Sequence, residues 1–194
     1  MVRNNKLTTK RLVLGAILTA LVVVLQLMGA FIKFGPFSVS LVLIPIVIGA
    51  STCGTKVSTW LGFIFGVVVL ASGDASVFLA VDVVGTIITV LAKGTLCGLT
   101  AGLVYNILKK KNGWLAVIAA AIVCPVTNTA VFLLGCFVFF LETVSGWAVG
   151  AGFGENVALY MIVGLVGFNF VFELLTNIVL SPVVSRLINI RNKR

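Results

Sequence analysis

The stretch 87–111, IITVLAKGTLCGLTAGLVYNILKKK, is an apolar run that ends in three consecutive lysines. Such a run forms a helix long enough to cross the hydrocarbon core of a bilayer, which takes about 20 residues. Positive charge at one end of an apolar helix favours the cytoplasmic side of the membrane. The stretch therefore predicts a transmembrane helix whose carboxyl end faces the cytoplasm.

The rest of the chain repeats this arrangement of charge. Basic residues cluster near both ends of the chain, at Lys56 and at 109–111, whereas Asp74, Asp82, Glu142 and Glu155 lie between these clusters. The positive-inside rule then predicts that both termini are cytoplasmic, which requires an even number of crossings.

Composition indicates the same class of protein. Of the 194 residues, 60% are hydrophobic and only 10% are charged, which would leave large apolar patches exposed in a soluble domain. The formal net charge of +9 would suggest nucleic acid as a partner of a soluble protein. Here the excess lies at predicted membrane boundaries, where it sets topology and attracts anionic lipid headgroups, so nucleic-acid binding is not expected.

The apolar runs predict an all-α integral membrane protein, a bundle of six transmembrane helices that forms a single membrane domain over residues 1–194. Residues 77–86 are left open, because they read equally well as an extension of the fourth helix or as an ordered extracellular loop. The predicted helices cover about 9–31, 38–53, 56–71, 87–109, 114–140 and 157–186.

Small residues recur at helical spacing and mark faces where helices pack closely in lipid. The glycines are expected to pack against other helices of the same chain. Ala16 and Ala20 form a groove on the first helix that suits either internal packing or a partner subunit. The glycines concerned are Gly62 and Gly66 on the third helix and Gly94, Gly98 and Gly102 on the fourth.

Lys93 lies within the predicted fourth helix, roughly 24 Å from its cytoplasmic end at a rise of about 1.5 Å per residue. A charge inside the membrane is costly and is a candidate ligand contact, although pairing with an acid or reaching toward the interface would also account for it.

Asn128 follows Pro125, which removes a backbone donor and lets polar groups face a cavity. Asn169 and Glu173 share a face of the last helix. We expect Asn169 to face a ligand, and Glu173, with Asn177, to make interhelical hydrogen bonds.

The connection 142–156 is predicted to be the longest extracellular loop and to act as a lid, because it contains several glycines beside aromatic residues. Its Trp147 suits either a ligand cover or an interfacial anchor.

Several kinds of chemistry find no support in the sequence. The chain has no histidine, its four cysteines are isolated, and it lacks a phosphate-binding loop, so no metal, cofactor, ATPase or other enzymatic activity is expected. A lipid-modifying membrane enzyme and a self-sufficient channel or facilitator are the alternatives of another class.

The whole pattern resembles the substrate-binding S component of energy-coupling factor (ECF) transporters. The resemblance rests on chain size, topology, the absent ATPase motifs and the A-x-x-x-A motif formed by Ala16 and Ala20. The stretches 44–49, 60–66 and 127–129 look most like the pantothenate branch, except that Ile44 stands where a polar residue often precedes the proline. Riboflavin, folate and thiamine or pyridoxine precursors remain alternative ligands.

The resemblance implies uptake of a vitamin across a bacterial or archaeal plasma membrane, driven by ATP. The partners would be a transmembrane coupling subunit, which meets Ala16 and Ala20, and two cytoplasmic ATPases. The implied pocket is roofed by extracellular loops, walled by the last three helices, and lined by Lys93, Asn128, Trp147, Asn156 and Asn169.

Overall fold

The computed structural model describes residues 9–29, 33–34, 37–38 and 41–192, with side chains for 9–29 and 41–182. The described chain is helical except for one antiparallel pair of two-residue strands, in which Lys33 pairs with Ser38 and Phe34 with Phe37. The elements are α1 (Thr9–Gly29), β1 (Lys33–Phe34), β2 (Phe37–Ser38), α2 (Leu43–Thr52), α3 (Thr55–Ala71), α4 (Ser76–Leu79), α5 (Val83–Leu108), α6 (Gly113–Phe139), α7 (Leu141–Gly150), α8 (Val157–Leu159), a π-helix (Tyr160–Leu165) and α9 (Gly167–Asn192).

Among the residues that the structure describes, three helices, α1, α5 and α6, are long and apolar enough to cross a membrane. A fourth crossing is possible if α8, the π-helix and α9 form one span, which bends by 44° at its break. The apolar helices α2 and α3 are shorter. A multi-pass membrane protein is therefore supported, whereas six crossings and cytoplasmic termini stay predictions.

Helix α5 begins at Val83, four residues before the predicted start at residue 87. Asp82 is its N-cap: the side-chain Oδ1 accepts hydrogen bonds from the backbone N–H of Val84 at 2.9 Å and of Gly85 at 3.1 Å. These bonds satisfy two amides that have no partner within the helix. The open segment 77–86 thus contains the end of the short helix α4, the cap and the first turn of α5.

The second helix also differs from its predicted bounds of 38–53. It extends from Leu43 to Thr52, and Pro45 lies in its first turn, where proline interrupts no helical hydrogen bond. Part of the predicted amino-terminal extension falls on residues 39–40, which lie outside the described residues.

The prediction that 142–156 is a loop is wrong for its first part, because Leu141–Gly150 forms helix α7. Val144 and Ala148 lie one turn apart and are both fully buried, so packing of this face outweighs the low helix propensity of Gly146.

The prediction of one continuous last helix over 157–186 is also wrong. The π-helix ends at Leu165 and α9 begins at Gly167, and the N–H of Val166 at the break donates to the carbonyl oxygen of Met161 at 3.3 Å. A β-carbon at Gly167 would lie 2.8 Å from the carbonyl oxygen of Ile162, so this close approach requires glycine.

Helices α3 and α5 meet along a glycine seam, formed by Gly62 and Gly66 of α3 with Gly94, Gly98 and Gly102 of α5. A β-carbon at Gly62 would lie 2.0 Å from the carbonyl oxygen of Gly94, and one at Gly98 would lie 2.1 Å from that of Ser58. Backbone contacts this close are possible only without side chains. The expected intramolecular packing of the glycines is confirmed.

Candidate functional site

A cavity of about 70 Å³ lies at the end of the bundle where α3 ends and α5 begins. Its volume leaves room for several water-sized groups. Helix α6 and the broken last helix form the remaining walls, together with the turn 72–75 and the aromatic rings of Phe78, Phe132 and Phe170. The charged and amide-bearing residues that line it are Asp74, Lys93, Asn128, Asn169 and Glu173.

Lys93 is held between two aromatic rings on the cavity wall. Its Nζ lies 5.6 Å from the ring centroid of Phe65 and 5.3 Å from that of Phe132. The faces of aromatic rings attract cations, most strongly where water is excluded. The charges of Glu173 and Asp74 also act on this ammonium group. Ring faces and carboxylates together offset the cost of placing a cation inside the bundle.

Asp74 connects the cavity to the first helix. It lies in the turn between α3 and α4, where Gly73 adopts a φ of +78° that favours glycine. The side-chain Nε2 of Gln26 donates a hydrogen bond to its Oδ2 at 3.2 Å. Gln26 is only 1% exposed and lies on the inner face of α1. A residue of α1 thus holds a residue of the cavity wall in place.

Asn128 and Asn169 line the cavity from two different helices, Asn128 from α6 and Asn169 from α9. Their side chains are 6% and 8% exposed, and the carbonyl oxygen of each is buried with no hydrogen-bond partner within the described residues. A buried acceptor without a partner costs about 1–3 kcal/mol. Two such acceptors that line one cavity indicate a place where water or a ligand supplies the missing donors.

Glu173 also lines this cavity, whereas the sequence assigned it to the scaffold. It lies one turn beyond Asn169 on α9, so the shared face that the sequence indicates brings both residues to the same wall. Asn177 donates a hydrogen bond from Nδ2 to the backbone oxygen of Glu173 at 2.9 Å. This bond lies within α9, so it differs from the interhelical bond expected for Asn177.

Trp147 and Asn156 are not among the residues that line the cavity. The ring of Trp147 packs edge-on against Phe78 with centroids 5.5 Å apart, and it is Phe78 that reaches the cavity. Asn156 is exposed and caps α8, because its Oδ1 accepts a hydrogen bond from the backbone N–H of Leu159 at 3.2 Å. In this structure Trp147 packs against a residue of the cavity wall, and Asn156 caps the first turn of α8.

Ala16 and Ala20 lie one turn apart on the exposed face of α1. The opposite face of this helix carries Gly15, Leu18 and Val22, which are buried against the bundle. The alanine groove is therefore turned away from the chain's own core and is accessible to another molecule.

Across the described ranges, no group of three or more histidine, cysteine or acidic residues is placed to hold a metal ion. The four cysteines are free and buried, which fits small apolar residues packed between helices.

Comparison with known proteins supplies the family. No curated protein matches the chain significantly. The model of the family described as ECF transporter, substrate-specific component, matches residues 10–188. Such components are substrate-binding transporter subunits rather than enzymes, and they act with ECF membrane and ATPase subunits. This chain, matched over nearly its whole length, belongs to the family of substrate-specific components of ECF transporters.

Proposed function

We propose that this chain captures a small vitamin or vitamin precursor on the extracellular side of the plasma membrane for ATP-driven uptake. The observation that carries the proposal is the cavity in which the oxygens of Asn128 and Asn169 are buried without partners, next to Lys93. A site that only stabilised the fold would pair these acceptors within the chain.

The orientation of the cavity supports capture from outside. It opens among Asp74, the amino-terminal half of α5 and the broken last helix, far from Lys109 at the other end of α5. The charge pattern assigns the lysine end to the cytoplasm. The ligand site then lies in the outer half of the bundle, as capture before uptake requires.

The identity of the ligand is suggested by the sequence, which favours pantothenate, and Lys93 would offer its carboxylate a charge-assisted hydrogen bond. Riboflavin, folate and thiamine or pyridoxine precursors are the other candidates.

Copurification tests the proposal directly. The chain is purified at low salt in a mild detergent, and the bound small molecules and protein partners are identified by mass spectrometry. We expect one vitamin-sized molecule and the coupling and ATPase subunits. Protein that carries neither, when prepared from cells grown on several vitamin sources, would sink the proposal.

The partner surface is tested by enlarging Ala16. A tryptophan at this position would fill the groove on the exposed face of α1, so Ala16→Trp should lose the coupling subunit in pull-down while keeping its small molecule. Ala130 is exposed on α6 and provides a matched control. If Ala130→Trp disrupted the complex as strongly as Ala16→Trp, α1 would not be the specific docking face.

The glycines that suggested a self-sufficient channel pack instead in the contact between α3 and α5. Solute flux in liposomes that contain this chain alone would nevertheless support the channel over the proposed transporter subunit.

A further inference from the structure

The end of the glycine seam opposite the cavity carries a cation that is held in place. The Nζ of Lys109 donates a hydrogen bond to Oδ1 of Asn106 and lies 5.7 Å from the ring centroid of Tyr105. The Nδ2 of Asn106 donates in turn to Oγ1 of Thr55 at the start of α3. A lysine ammonium group has three N–H donors, of which the bond to Asn106 uses one. An exposed cation is thus fixed where α5 ends against α3.

Lys56 brings a second cation to the same end from the facing helix. It follows Thr55 directly in the first turn of α3, and it is exposed. The acidic residues closest to these two helices in sequence lie at the opposite ends, because Asp74 follows α3 and Asp82 caps the start of α5. The 17 residues of α3 extend over roughly 25 Å. Charges so far apart are screened at physiological salt, where the Debye length is about 8 Å. Neither of these acids therefore neutralises the two lysines.

An aromatic stripe on α3 continues from Lys56 toward the middle of the helix. Trp60 and Phe63 follow Lys56 by four and seven residues, so all three side chains lie on one face. Trp60 is 52% exposed and Phe63 is 38% exposed, and their ring centroids lie 6.0 Å apart. In a membrane protein such a face meets acyl chains, and tryptophan beside lysine is typical of the headgroup level. Cations above an apolar stripe fit a molecule with an anionic head and an apolar tail.

We propose that this end of the seam binds the phosphate group of an anionic phospholipid, whose acyl chain packs along Trp60 and Phe63. The phosphate oxygens accept hydrogen bonds from the ammonium groups of Lys56 and Lys109. These bonds are charge-assisted and therefore stronger than bonds between neutral groups. A soluble phosphate would meet the same cations but would gain nothing from the exposed rings. The aromatic stripe is the observation that assigns the site to a lipid.

The test uses the full chain in nanodiscs that contain phosphatidylcholine and phosphatidylglycerol in equal amounts. The chain has three tryptophans, so Trp114→Phe and Trp147→Phe together leave Trp60 as the reporter of fluorescence. In separate preparations one of the two lipids carries bromine on its acyl chains, which quenches a tryptophan on contact. We expect brominated phosphatidylglycerol to quench Trp60 about threefold more strongly than brominated phosphatidylcholine, or better, because each lysine near the headgroups favours an anionic lipid.

Lysine variants then test the contact in the same preparations. Lys56→Gln and Lys109→Gln each remove one of the two cations, so each should lower the preference for phosphatidylglycerol by about half or more. Lys110→Gln is the matched control, because it removes the same charge from the next residue along the chain, which is also exposed. This variant should keep most of the preference.

Each remaining outcome decides against the lipid site. Equal quenching by the two brominated lipids overturns it. Equal losses in all three glutamine variants would show a diffuse attraction of charge and also overturn it. Displacement of brominated phosphatidylglycerol by glycerol 3-phosphate, a headgroup without acyl chains, would assign the two lysines to a free phosphate instead. Thermal unfolding identifies a variant that fails to fold, in which case the other lysine variant and the parent protein decide. None of these results bears on the cavity and its ligand, which lie at the other end of the seam.

Discussion

The glycine seam between α3 and α5 and the cavity at the end of the bundle where α5 begins use buried polar atoms in opposite ways. In the seam, backbone oxygens such as that of Gly94 lie so close to the facing helix that no side chain fits between them. Near the end of the seam where α3 begins, Nδ2 of Asn106 donates a hydrogen bond to Oγ1 of Thr55 at 2.6 Å. At the cavity, Asn128 and Asn169 keep buried oxygens without partners. The difference is that the seam leaves no room for further groups, whereas the cavity keeps two buried acceptors without partners among the described residues, as the proposed ligand site requires.

The largest effect is expected where the seam is broken. In Gly98→Ala the new β-carbon would lie 2.1 Å from the carbonyl oxygen of Ser58, a backbone atom that cannot rotate away. The helices must separate, so we expect the free energy of unfolding to fall by about 3 kcal/mol or more. Denaturation in mixed micelles, followed by circular dichroism, measures this change.

Gly146 provides the matched control, because it is helical and an added β-carbon would meet no heavy atom within 4 Å. Gly146→Ala should be neutral or stabilise the protein by up to about 1 kcal/mol. Equal losses in both variants would show that the seam is not specially constrained.

A second prediction concerns the cavity, where Asn169 keeps a buried oxygen without a partner among the described residues. Asn169→Leu replaces a buried acceptor that has no partner by an apolar side chain of similar size, so the ligand-free protein should be as stable as the wild type or up to about 2 kcal/mol more stable. Retention of the copurified small molecule should fall at least tenfold. Thermal unfolding and mass spectrometry of the same preparations give the two readouts.

Asn177→Leu on the same helix gives the contrast. Asn177 is buried and its side chain is already bonded to the backbone oxygen of Glu173. The substitution removes a satisfied bond outside the cavity, so it should lower stability by about 1 kcal/mol without a specific loss of ligand. If Asn169→Leu destabilised the ligand-free protein more than Asn177→Leu, the cavity would be part of the scaffold.

The smallest effect is expected at the cap of α5. Asp82→Ala removes the acceptor for two backbone amides and should lower the free energy of unfolding by about 1 kcal/mol. Asp82→Ser keeps a capping oxygen and should recover most of that loss, with ligand retention unchanged in both variants. A loss of ligand in Asp82→Ala at unchanged stability would instead place Asp82 in the binding site.

Local patterns in the sequence were sufficient to locate the long helices of the bundle. They also identified three of the five residues predicted to line the pocket. Apolar runs located the long helices, helical spacing predicted the glycine contacts, and charge in an apolar run singled out Lys93. Lys93, Asn128 and Asn169 all line the cavity, as expected for polar residues within apolar segments. Their contact with a ligand stays a prediction.

Sequence reasoning missed three parts of the structure. The π-helix ahead of Val166 was missed because the apolar run around it has the pattern of an ordinary helix, and the close approaches of Gly164 to Tyr160 and of Gly167 to Ile162 appear only in the structure. Helix α7 was read as a loop from its glycines, whereas burial of Val144 decides its fold. The sequence used Asp74 as a marker of topology, and its place in the cavity wall beside Gln26 appears only in the structure.

The hydrogen bond between Gln26 and Asp74 connects α1 to the cavity wall. The same helix carries Ala16 and Ala20 on its outer face and Gln26 on its inner face. One helix of 21 residues therefore contacts the cavity wall through Gln26 and presents the alanine groove on its exposed face.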